Sequence, residues 1–295
     1  MRRGRGRVLG LDIGGSRTRA RLVEGGTAIS ELEGRGANPA ALAPAVVERR
    51  LAELIGRLGP DRPIACCAGA AGVEVPAARA RLEAILGRLL PGTAVEVVHD
   101  ARLVLAAAGL DHGVALVAGT GSVAYGRDAS GKEARAGGWG WLLGDEGSGV
   151  WMVREAAREV LRRADAGEPL GPLGTGLLAA AGARSAVELA GSLHRLREPR
   201  RWAGFAGAVF AAAGADQAAS ALIGRAGASL ADLVEVVGDR VGPQSPVVLA
   251  GGLLLNQPLL EAAVRERLVC DVIRLDEPPV AGAARLAAEI AGSSG

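Results

Sequence analysis

Short apolar runs, each closed by glycines, open the chain and predict three β-strands at 8–13, 17–24 and 27–33. A stretch rich in Ala, Leu, Glu and Arg then predicts a helix at about 39–59. A buried strand at 64–68, a helix at about 77–90, a strand at 94–98 and a helix that opens at Asp100 follow. This βββαβαβα order predicts a mixed sheet with helices packed on its faces.

The second half of the chain repeats this order. Strands are predicted at 114–118, 122–127 and 132–136, and a helical stretch at about 147–241 interrupts the pattern. The strand 247–250, a helix from Asn256, the strand 272–275 and a final helix from Pro279 complete it. We therefore expect two similar α/β domains, 1–110 and 111–278, with the last helix, 279–295, packing back on the first domain.

Composition narrows the classes of function. The chain is 49% hydrophobic, enough for real cores, yet no window approaches the ~20 uncharged apolar residues of a membrane span. Its net charge of +2 gives no strong field to recruit nucleic acid, although the arginines at the start form a weak basic patch. That basic start lacks the apolar segment of a signal peptide, so we expect a cytoplasmic protein without nucleic-acid or membrane partners.

Lysine and cysteine usage excludes further chemistry. The sole lysine, Lys132, sits in a turn-like run, so neither a P-loop nor a Schiff-base site fits. Cys66 and Cys67 are adjacent in an apolar run, where strand neighbours point to opposite faces, and Cys270 stands apart. No cysteine or histidine spacing suits a metal; His99 is of interest only because it precedes Asp100.

Two glycine-containing turns fall at matching places in the two halves, within GLDIGGSRTRARLV and ALVAGTGSVAYGRD. Each follows an apolar strand and returns as a strand. Such turns present backbone N–H groups and hydroxyls to one point, which suits phosphate oxygens, and two facing each other across a cleft would hold a triphosphate. An ordinary hairpin remains the alternative for each turn. The second turn also fits a loose dinucleotide pattern, but that pattern requires a helix where a strand follows.

Two aspartates end predicted strands. Asp12 lies beside the first turn, where a bridging Mg²⁺ would reconcile its charge with phosphate. Asp100 ends another strand, where it suits a base that accepts a proton from a sugar hydroxyl during phosphoryl transfer. The alternatives are a turn cap for Asp12 and a helix cap for Asp100.

Three of the four tryptophans, Trp139, Trp141 and Trp151, fall in the segment GGWGWLLGDEGSGVW. The segment combines flexible backbone, flat apolar rings and the carboxylates of Asp145 and Glu146. This combination suits the binding of a small hydroxylated ligand. The alternative is a turn followed by a helix, with the tryptophans as ordinary core residues.

The segments DIGGSRT, HDA, VAGTGS, GGWGWLLGDEGSG and VVLAGG together resemble the N-acetylglucosamine kinase branch of the BadF/BadG/BcrA/BcrD ATPase family, within the hexokinase and actin superfamily. The resemblance implies two ribonuclease H-like (actin-like ATPase) domains with an active-site cleft between them. It also implies transfer of the γ-phosphate of MgATP to a hydroxyl, O6, of an amino sugar such as N-acetylglucosamine or glucosamine.

The resemblance further implies a role for each matched position. Asp12 would hold Mg²⁺ through water and Asp100 would be the catalytic base. The ATP phosphates would contact the two glycine turns, at Gly14, Gly15, Ser16, Thr18, Gly119, Thr120, Gly121 and Ser122. The adenosine would contact Gly251 and Gly252, which follow the strand at 247–250. The sugar would contact Asn38, Gly137, Gly138, Trp139 and Asp145.

Two other functions remain open. One is a BadF-type activator ATPase, which couples ATP hydrolysis to electron transfer through an iron–sulfur cluster shared between subunits. The other is a non-catalytic protein that senses sugars. The sequence does not fix which sugar is the acceptor (N-acetylglucosamine, glucosamine, N-acetylmuramate or a plain hexose), and a homodimer is an open expectation.

Overall fold

The computed structural model describes residues 6–59 and 62–293. The first arginines of the predicted basic patch and the last two residues of the predicted final helix lie outside the described residues. The chain divides into two compact units: a first unit that runs to Asp111 and resumes at Leu275, and a second unit, His112–Arg274.

The first unit is built on a five-stranded sheet in the order β3-β2-β1-β4-β5. β2 runs antiparallel to both of its neighbours, β1 and β3, whereas β1, β4 and β5 run parallel. β1, β4 and β5 therefore end at the same edge of the sheet. The elements up to the boundary are β1 (Arg7–Ile13), β2 (Arg17–Glu24), β3 (Thr27–Arg35), α1 (Pro44–Gly56), β4 (Ala65–Ala70), α2 (Pro76–Leu89), β5 (Ala94–His99) and α3 (Asp100–Ala107).

The second unit repeats this topology, since its sheet has the order β10-β9-β6-β7-β8. The predicted fold class, two mixed sheets flanked by helices, is confirmed. Six helices form the predicted helical stretch between β8 and β9. The elements are β6 (Gly113–Ala118), β7 (Ser122–Arg127), β8 (Glu133–Gly137), α4 (Gly149–Asp165), α5 (Gly171–Ala181), α6 (Ala186–Arg195), α7 (Pro199–Ala203), α8 (Gly207–Ala212), α9 (Gln217–Val241), β9 (Val247–Ala250), α10 (Gly252–Asn256), α11 (Pro258–Arg265) and β10 (Val272–Arg274).

The last helix, α12 (Pro279–Ser293), belongs to the first unit and packs with α3 on one face of its sheet. α1 and α2 cover the other face. Because side chains alternate along a strand, Cys66 enters the core under α1 and α2 and Cys67 the core under α3 and α12, as the sequence predicted. Burial raises the pKa of Cys67 to about 12 and that of Cys66 further, so both remain thiols at neutral pH.

Two predicted helix starts were wrong. α1 begins at Pro44, not near residue 39, because turns centred on Asn38 occupy the intervening backbone and proline, lacking an N–H, suits a first helical turn. The helix predicted from Asn256 begins at Pro258 instead, as α11, and Asn256 is the last residue of α10, a helix that was not predicted. Proline cannot donate the hydrogen bond that would have continued α10.

No single helix of the described ranges is long and apolar enough to cross a membrane. Pro199–Ala212 and Gln217–Val241 are both long and apolar enough only when taken as a pair, which is bent by 119°, and much of their apolar surface lies in the core of the second unit.

Glycines let α12 approach its neighbours closely. A methyl group at Gly10 of β1 would overlap the backbone of Ala284, and one at Gly282 would overlap the carbonyl oxygen of Leu103 in α3. Arg285 donates a hydrogen bond of 2.9 Å to the carbonyl oxygen of Ala106 near the end of α3, where a cation is favoured by the helix dipole. The position of α12 therefore depends on the absence of side chains at these two glycines.

We expect Gly282→Ala to lower the free energy of unfolding by at least about 2 kcal/mol, because the new methyl group has no room against α3. Gly292→Ala, in the same helix with open space around it, is the matched control and should be neutral or stabilising by up to about 1 kcal/mol. Urea denaturation followed by circular dichroism measures both. Equal effects of the two substitutions would contradict close packing at Gly282.

Candidate functional site

The two strand-end aspartates lie at one edge of the first unit. Asp12 pairs with Gly69 of β4, and Ala70 pairs with His99 of β5, so Asp12 and Asp100 are about two strand spacings apart, roughly 10 Å. The pKa of Asp12 is raised to about 6, mainly by burial and in second place by the nearby negative charge of Asp100. Arg19 and Arg17 oppose this rise. The two carboxylates therefore share one partly buried, electrostatically coupled site.

Asp100 has two polar neighbours that the sequence analysis did not assign to the site. Its Oδ1 lies 3.0 Å from Nδ1 of His99, and the other ring nitrogen of His99 lies 4.0 Å from Glu74. Burial raises the pKa of Asp100, while the adjacent His99 and the Ala101 N–H oppose that rise. Glu74 follows β4, and no local pattern links it to residue 100; only the pairing of β4 with β5 brings them together.

The first glycine turn is a tight β1–β2 connection. Gly14 N–H donates to the carbonyl oxygen of Arg17 at 3.0 Å, and Gly15 and Ser16 are exposed. Gly36 N–H donates to the carbonyl oxygen of Ser16 at 3.2 Å, and a methyl group at Gly36 would overlap the backbone of Gly15. Gly36, which the sequence analysis did not single out, therefore supports the turn from β3.

The glycines of both predicted phosphate turns have ordinary backbone geometry. None of Gly14, Gly15, Gly119 and Gly121 has a positive φ. They therefore do not form a nest of alternating right- and left-handed residues. A methyl group at Gly121 would lie 2.7 Å from Asp145 Oδ2, whereas one at Gly15 would have no neighbour within 4 Å, so close packing requires glycine at Gly121 and not at Gly15.

Thr18 is separated from the exposed part of its turn. It pairs with Ile13 across β1 and β2, so both side chains point to the face covered by α1 and α2. The Thr18 hydroxyl is buried there without a hydrogen-bond partner. Gly14, Gly15 and Ser16 are presented at the edge near Asp12, whereas the Thr18 side chain is not.

Asn38 lies beyond the end of β3, at the same edge of the sheet. Its Oδ1 accepts a hydrogen bond of 2.8 Å from the Ala40 N–H and lies 3.6 Å from the place of a methyl group on Gly72, in the turn after β4. Asn38 is half-buried. The structure thus brings Asn38, Asp12 and Asp100 to one edge of the first unit.

In the second unit, the turn 119–122 is tied to the start of α4. Gly149 N–H donates to the carbonyl oxygen of Gly119 at 2.9 Å, and the Ser122 hydroxyl donates to the carbonyl oxygen of Glu146 at 2.7 Å. Gly138 N–H donates to the carbonyl oxygen of Ser122 at 2.8 Å. The turn is therefore bonded to both ends of the tryptophan-containing loop.

Asp145 is the non-glycine residue with a positive φ, 61°, over the described ranges. Its side chain is 8% exposed and accepts hydrogen bonds from the backbone N–H groups of Ser122 and Gly140. A methyl group at Gly121 would lie 2.7 Å from its Oδ2. Burial raises the pKa of Asp145 in spite of these donors. Asp145, expected at the sugar, thus contacts the turn expected at the phosphates directly.

Gly251 and Gly252 lie against the same turn. β6 and β9 are parallel neighbours in which Val117 pairs with Ala250, so the segments that follow them meet at one edge. Gly251 has φ 94°, and a methyl group there would overlap the carbonyl oxygen of Ala118. A side chain at Gly251 is therefore excluded by backbone geometry and by space.

The tryptophans of the loop have different environments. Trp139 is 69% exposed, with the Arg135 guanidinium 4.9 Å from its ring centre. Trp141 packs against Trp202, with ring centres 6.2 Å apart. Trp151 is 7% exposed in α4 and belongs to the core. The interpretation of all three rings as ligand surfaces was wrong for Trp151, because α4 turns that residue inward.

The profile of the BadF/BadG/BcrA/BcrD ATPase family matches residues 9–287, nearly the whole chain. The chain belongs to this family. The recognition made from the motifs is thereby confirmed, and both glycine turns, both aspartates and the tryptophan-containing loop lie inside the matched range.

The chain is similar to two curated proteins named as amino-sugar kinases and to a solved structure. It is 33% identical over 168 residues to the N-acetylmuramic acid/N-acetylglucosamine kinase of Clostridium acetobutylicum, covering 54% of each protein. It is 31% identical over 102 residues to the N-acetyl-D-glucosamine kinase of Dictyostelium discoideum, covering 34% of this chain and 32% of that one. The matches thus span about half or less of these curated relatives.

The third relative is a crystal structure from Chromobacterium violaceum, provisionally named an N-acetylglucosamine kinase. It superposes with a TM-score of 0.79 at 26% identity, covering 95% of this chain and 98% of that one.

We expect Asp145→Gly to be more stable than Asp145→Ala by about 1 kcal/mol, because both lose the carboxylate but only alanine is strained at positive φ. Gly224→Ala in α9, with open space and ordinary helical backbone, is the control and should be stabilising. Urea unfolding of the three variants measures these differences. If the Asp145→Ala variant were as stable as the Asp145→Gly variant, backbone strain at residue 145 would be refuted.

We expect Asp12→Asn to stabilise the protein at pH 7.5 by on the order of 1–3 kcal/mol and to have little effect at pH 4. Since the folded pKa of about 6 exceeds the ordinary value of 3.8, folded Asp12 binds more protons than unfolded Asp12. The contribution of Asp12 to the free energy of unfolding therefore falls as the pH rises from the ordinary pKa of 3.8 to the folded pKa of about 6, and it stays low above that pH.

Asp128→Asn is the control of opposite sign, because hydrogen bonds from Ser130 hold the pKa of Asp128 below its usual range. Urea midpoints across pH 4–8 provide the measurement. If the urea midpoints of the wild type and of Asp12→Asn changed with pH in the same way, that result would contradict a raised pKa of Asp12.

Proposed function

We propose that this chain is an ATP-dependent sugar kinase that transfers the γ-phosphoryl group to O6 of an amino sugar, N-acetylglucosamine or glucosamine. The observation that carries the proposal is the pairing of Asp12 and Asp100 at one buried edge. Phosphoryl transfer to an alcohol requires one carboxylate near the metal-bound phosphates and another at the acceptor hydroxyl. The matched relatives named as amino-sugar kinases supply the substrate class.

Asp100 would accept the proton of the acceptor hydroxyl as the bond to phosphorus forms. An ordinary aspartate is a weak base, and burial makes Asp100 a better one by raising its pKa. Positioned proton transfer of this kind contributes 10²–10⁴-fold to the rate, roughly 3–5 kcal/mol. The partial exposure of the Asp100 side chain, 35%, leaves it accessible to an acceptor.

Asp12 would hold Mg²⁺ through a water molecule, and the ion would neutralise charge that develops on the phosphates. The residues fit this ion. The negative charge of Asp100 raises the proton affinity of Asp12, and carboxylates that lie this near each other favour a nearby cation. Across residues 6–59 and 62–293 no three His, Cys, Asp or Glu side chains group as a metal cage, and magnesium commonly needs only one or two carboxylates with water and phosphate oxygens.

In the second unit we assign the turn 119–122 to phosphate and Gly251 with Gly252 to the adenosine. The support is their common edge: these glycines keep side chains away from backbone that follows β6 and β9. Carboxyl ends of neighbouring parallel strands are the usual place for such ligands in α/β sheets. Gly14, Gly15, Ser16 and Thr18 remain proposed for phosphate in the first unit, with Thr18 the member whose side chain is turned away from the edge.

For the sugar we propose Asn38 in the first unit and Gly137, Gly138, Trp139 and Asp145 in the second. Trp139 supports this because it exposes a flat ring that Arg135 covers from one side. Asp145 supports it because its carboxylate is already fixed by two backbone donors and can accept from a sugar hydroxyl with its remaining lone pairs. Fixed acceptors and an apolar ring are typical of sugar recognition.

The two rival functions are less well supported. An iron–sulfur activator requires surface thiolates, whereas Cys66 and Cys67 are buried on opposite faces of a sheet as thiols. A non-catalytic sugar sensor would have no need of a buried carboxylate pair that destabilises the protein at neutral pH. An ADP-release assay separates all three: release that requires a sugar indicates a kinase, release without sugar an ATPase, and no release a sensor.

We expect Asp100→Asn to retain sugar binding but to lose at least ~100-fold in kcat. Coupled ADP release with N-acetylglucosamine, glucosamine, N-acetylmuramate and glucose measures the rate, and a thermal-shift titration measures sugar binding. Asp165→Asn, at the exposed end of α4, is the matched control and should behave as wild type. Activity of Asp100→Asn within a few-fold of wild type would remove Asp100 from the role of base.

A further inference from the structure

The carboxylate of Asp100 and the ring of His99 form a close pair. Nδ1 of His99 is 3.0 Å from Oδ1 of Asp100, a hydrogen-bond distance. The His99 side chain is 9% exposed, so water does not readily separate the two groups. The Ala101 N–H lies 2.9 Å from the same Oδ1 and 3.2 Å from Nδ1.

These distances allow two arrangements. In the first, Nδ1 is a bare acceptor and His99 caps α3 by taking the Ala101 N–H. A nitrogen lone pair then faces a carboxylate oxygen at 3.0 Å, and the two must share one backbone proton. In the second, Nδ1 carries a proton and donates it to Asp100, while the Ala101 N–H serves Oδ1 at its shorter distance. The second arrangement satisfies every group in a site where an unmatched lone pair is costly.

Glu74 favours the second arrangement. Its carboxylate lies 4.0 Å from Nε2 of His99, on the side of the ring away from Asp100. His99 therefore stands between two carboxylates, and Asp12 adds a third negative group near Asp100. A ring N–H on either nitrogen would face a carboxylate oxygen that can accept it, whereas a bare nitrogen lone pair would face another acceptor.

We propose that His99 is a positioning residue for Asp100: its Nδ1–H donates to Oδ1 and thereby leaves the second carboxylate oxygen to receive the proton of the acceptor hydroxyl. Only the kinetic consequence rests on the proposed kinase function. The hydrogen bond fixes the rotation of the carboxylate, as orienting hydrogen bonds do for other catalytic side chains. Oδ1 then has two donors, the Ala101 N–H and His99, while the backbone N–H of Asp100 also donates to the carboxylate.

The first test reads the proton directly and needs no activity. The chain has three histidines, so the ¹⁵N spectrum of protein labelled in the imidazole rings contains few signals, and loss of one set in His99→Asn assigns His99. We expect Nδ1 of His99 to be protonated in the wild type and to lose this preference in Asp100→Ala. An unprotonated Nδ1 with the proton on Nε2 alone, the arrangement of a simple helix cap, would overturn the proposal.

The second test reads the consequence for catalysis. We expect His99→Leu to lower kcat at least ~10-fold while the KM values for sugar and MgATP change less than about threefold, because the His99 side chain is 9% exposed and would act through Asp100. His99→Asn keeps an amide N–H near the position of Nδ1, and we expect it to recover kcat to within a few-fold of wild type.

A purely structural role for His99 would lower the melting temperature of His99→Leu without this selective loss of kcat, and that result would refute the proposal. So would an Asn variant as slow as the Leu variant. If the wild type phosphorylates no sugar, the proposed function fails, and the ring-proton measurement still decides whether His99 donates to Asp100.

Discussion

The parallel ends of β1, β4 and β5 impose the constraint on which the first unit's site depends. Parallel strands must finish at the same edge, so the last residues of β1 and the first residue after β5 are held near each other whatever their side chains. In this chain those residues are Asp12 and Asp100. Their mutual repulsion and partial burial oppose ionisation, and the hydrophobic cores on both faces of the sheet supply the stability that keeps them there.

The second unit has the same topology, but its sheet edge is organised by close backbone packing and not by a pair of carboxylates. Its sheet edge must hold backbone segments close together, and glycine makes this possible at Gly121 and Gly251. Asp145 then occupies the space beside Gly121 in a backbone conformation that few residues tolerate. Strain of this kind persists only where surrounding contacts fix it, and here two backbone N–H groups bind the carboxylate. The turn, the loop and α4 are thus one connected structure.

Electrostatic cost and chemical use coincide in this molecule. Arg163 and Asp216 form an ion pair at 2.9 Å in the helical part of the second unit. Both side chains are largely buried, but each charge faces its opposite, so Asp216 remains ionised and its pKa is lowered. At Asp12 and Asp100 the balance is different: burial raises the pKa of each carboxylate, and the neighbouring Arg17, Arg19 and His99 only partly oppose that rise. Carboxylates with raised pKa values stand out against a surface rich in arginine–glutamate pairs, which is why they mark the candidate site.

The amino-acid sequence by itself determined the order of the strands, the internal repeat, the opposite faces of Cys66 and Cys67 and the membership of the family. Those features follow from periodicity and local motifs, which act over a few residues. Tertiary structure alone decided that Trp151 is core, that Thr18 faces away from its turn, and that Glu74, His99 and Asp100 adjoin. A pattern fixes a side chain's face relative to its own strand or helix. Which residue meets that face depends on how distant segments pack, and no local pattern records this.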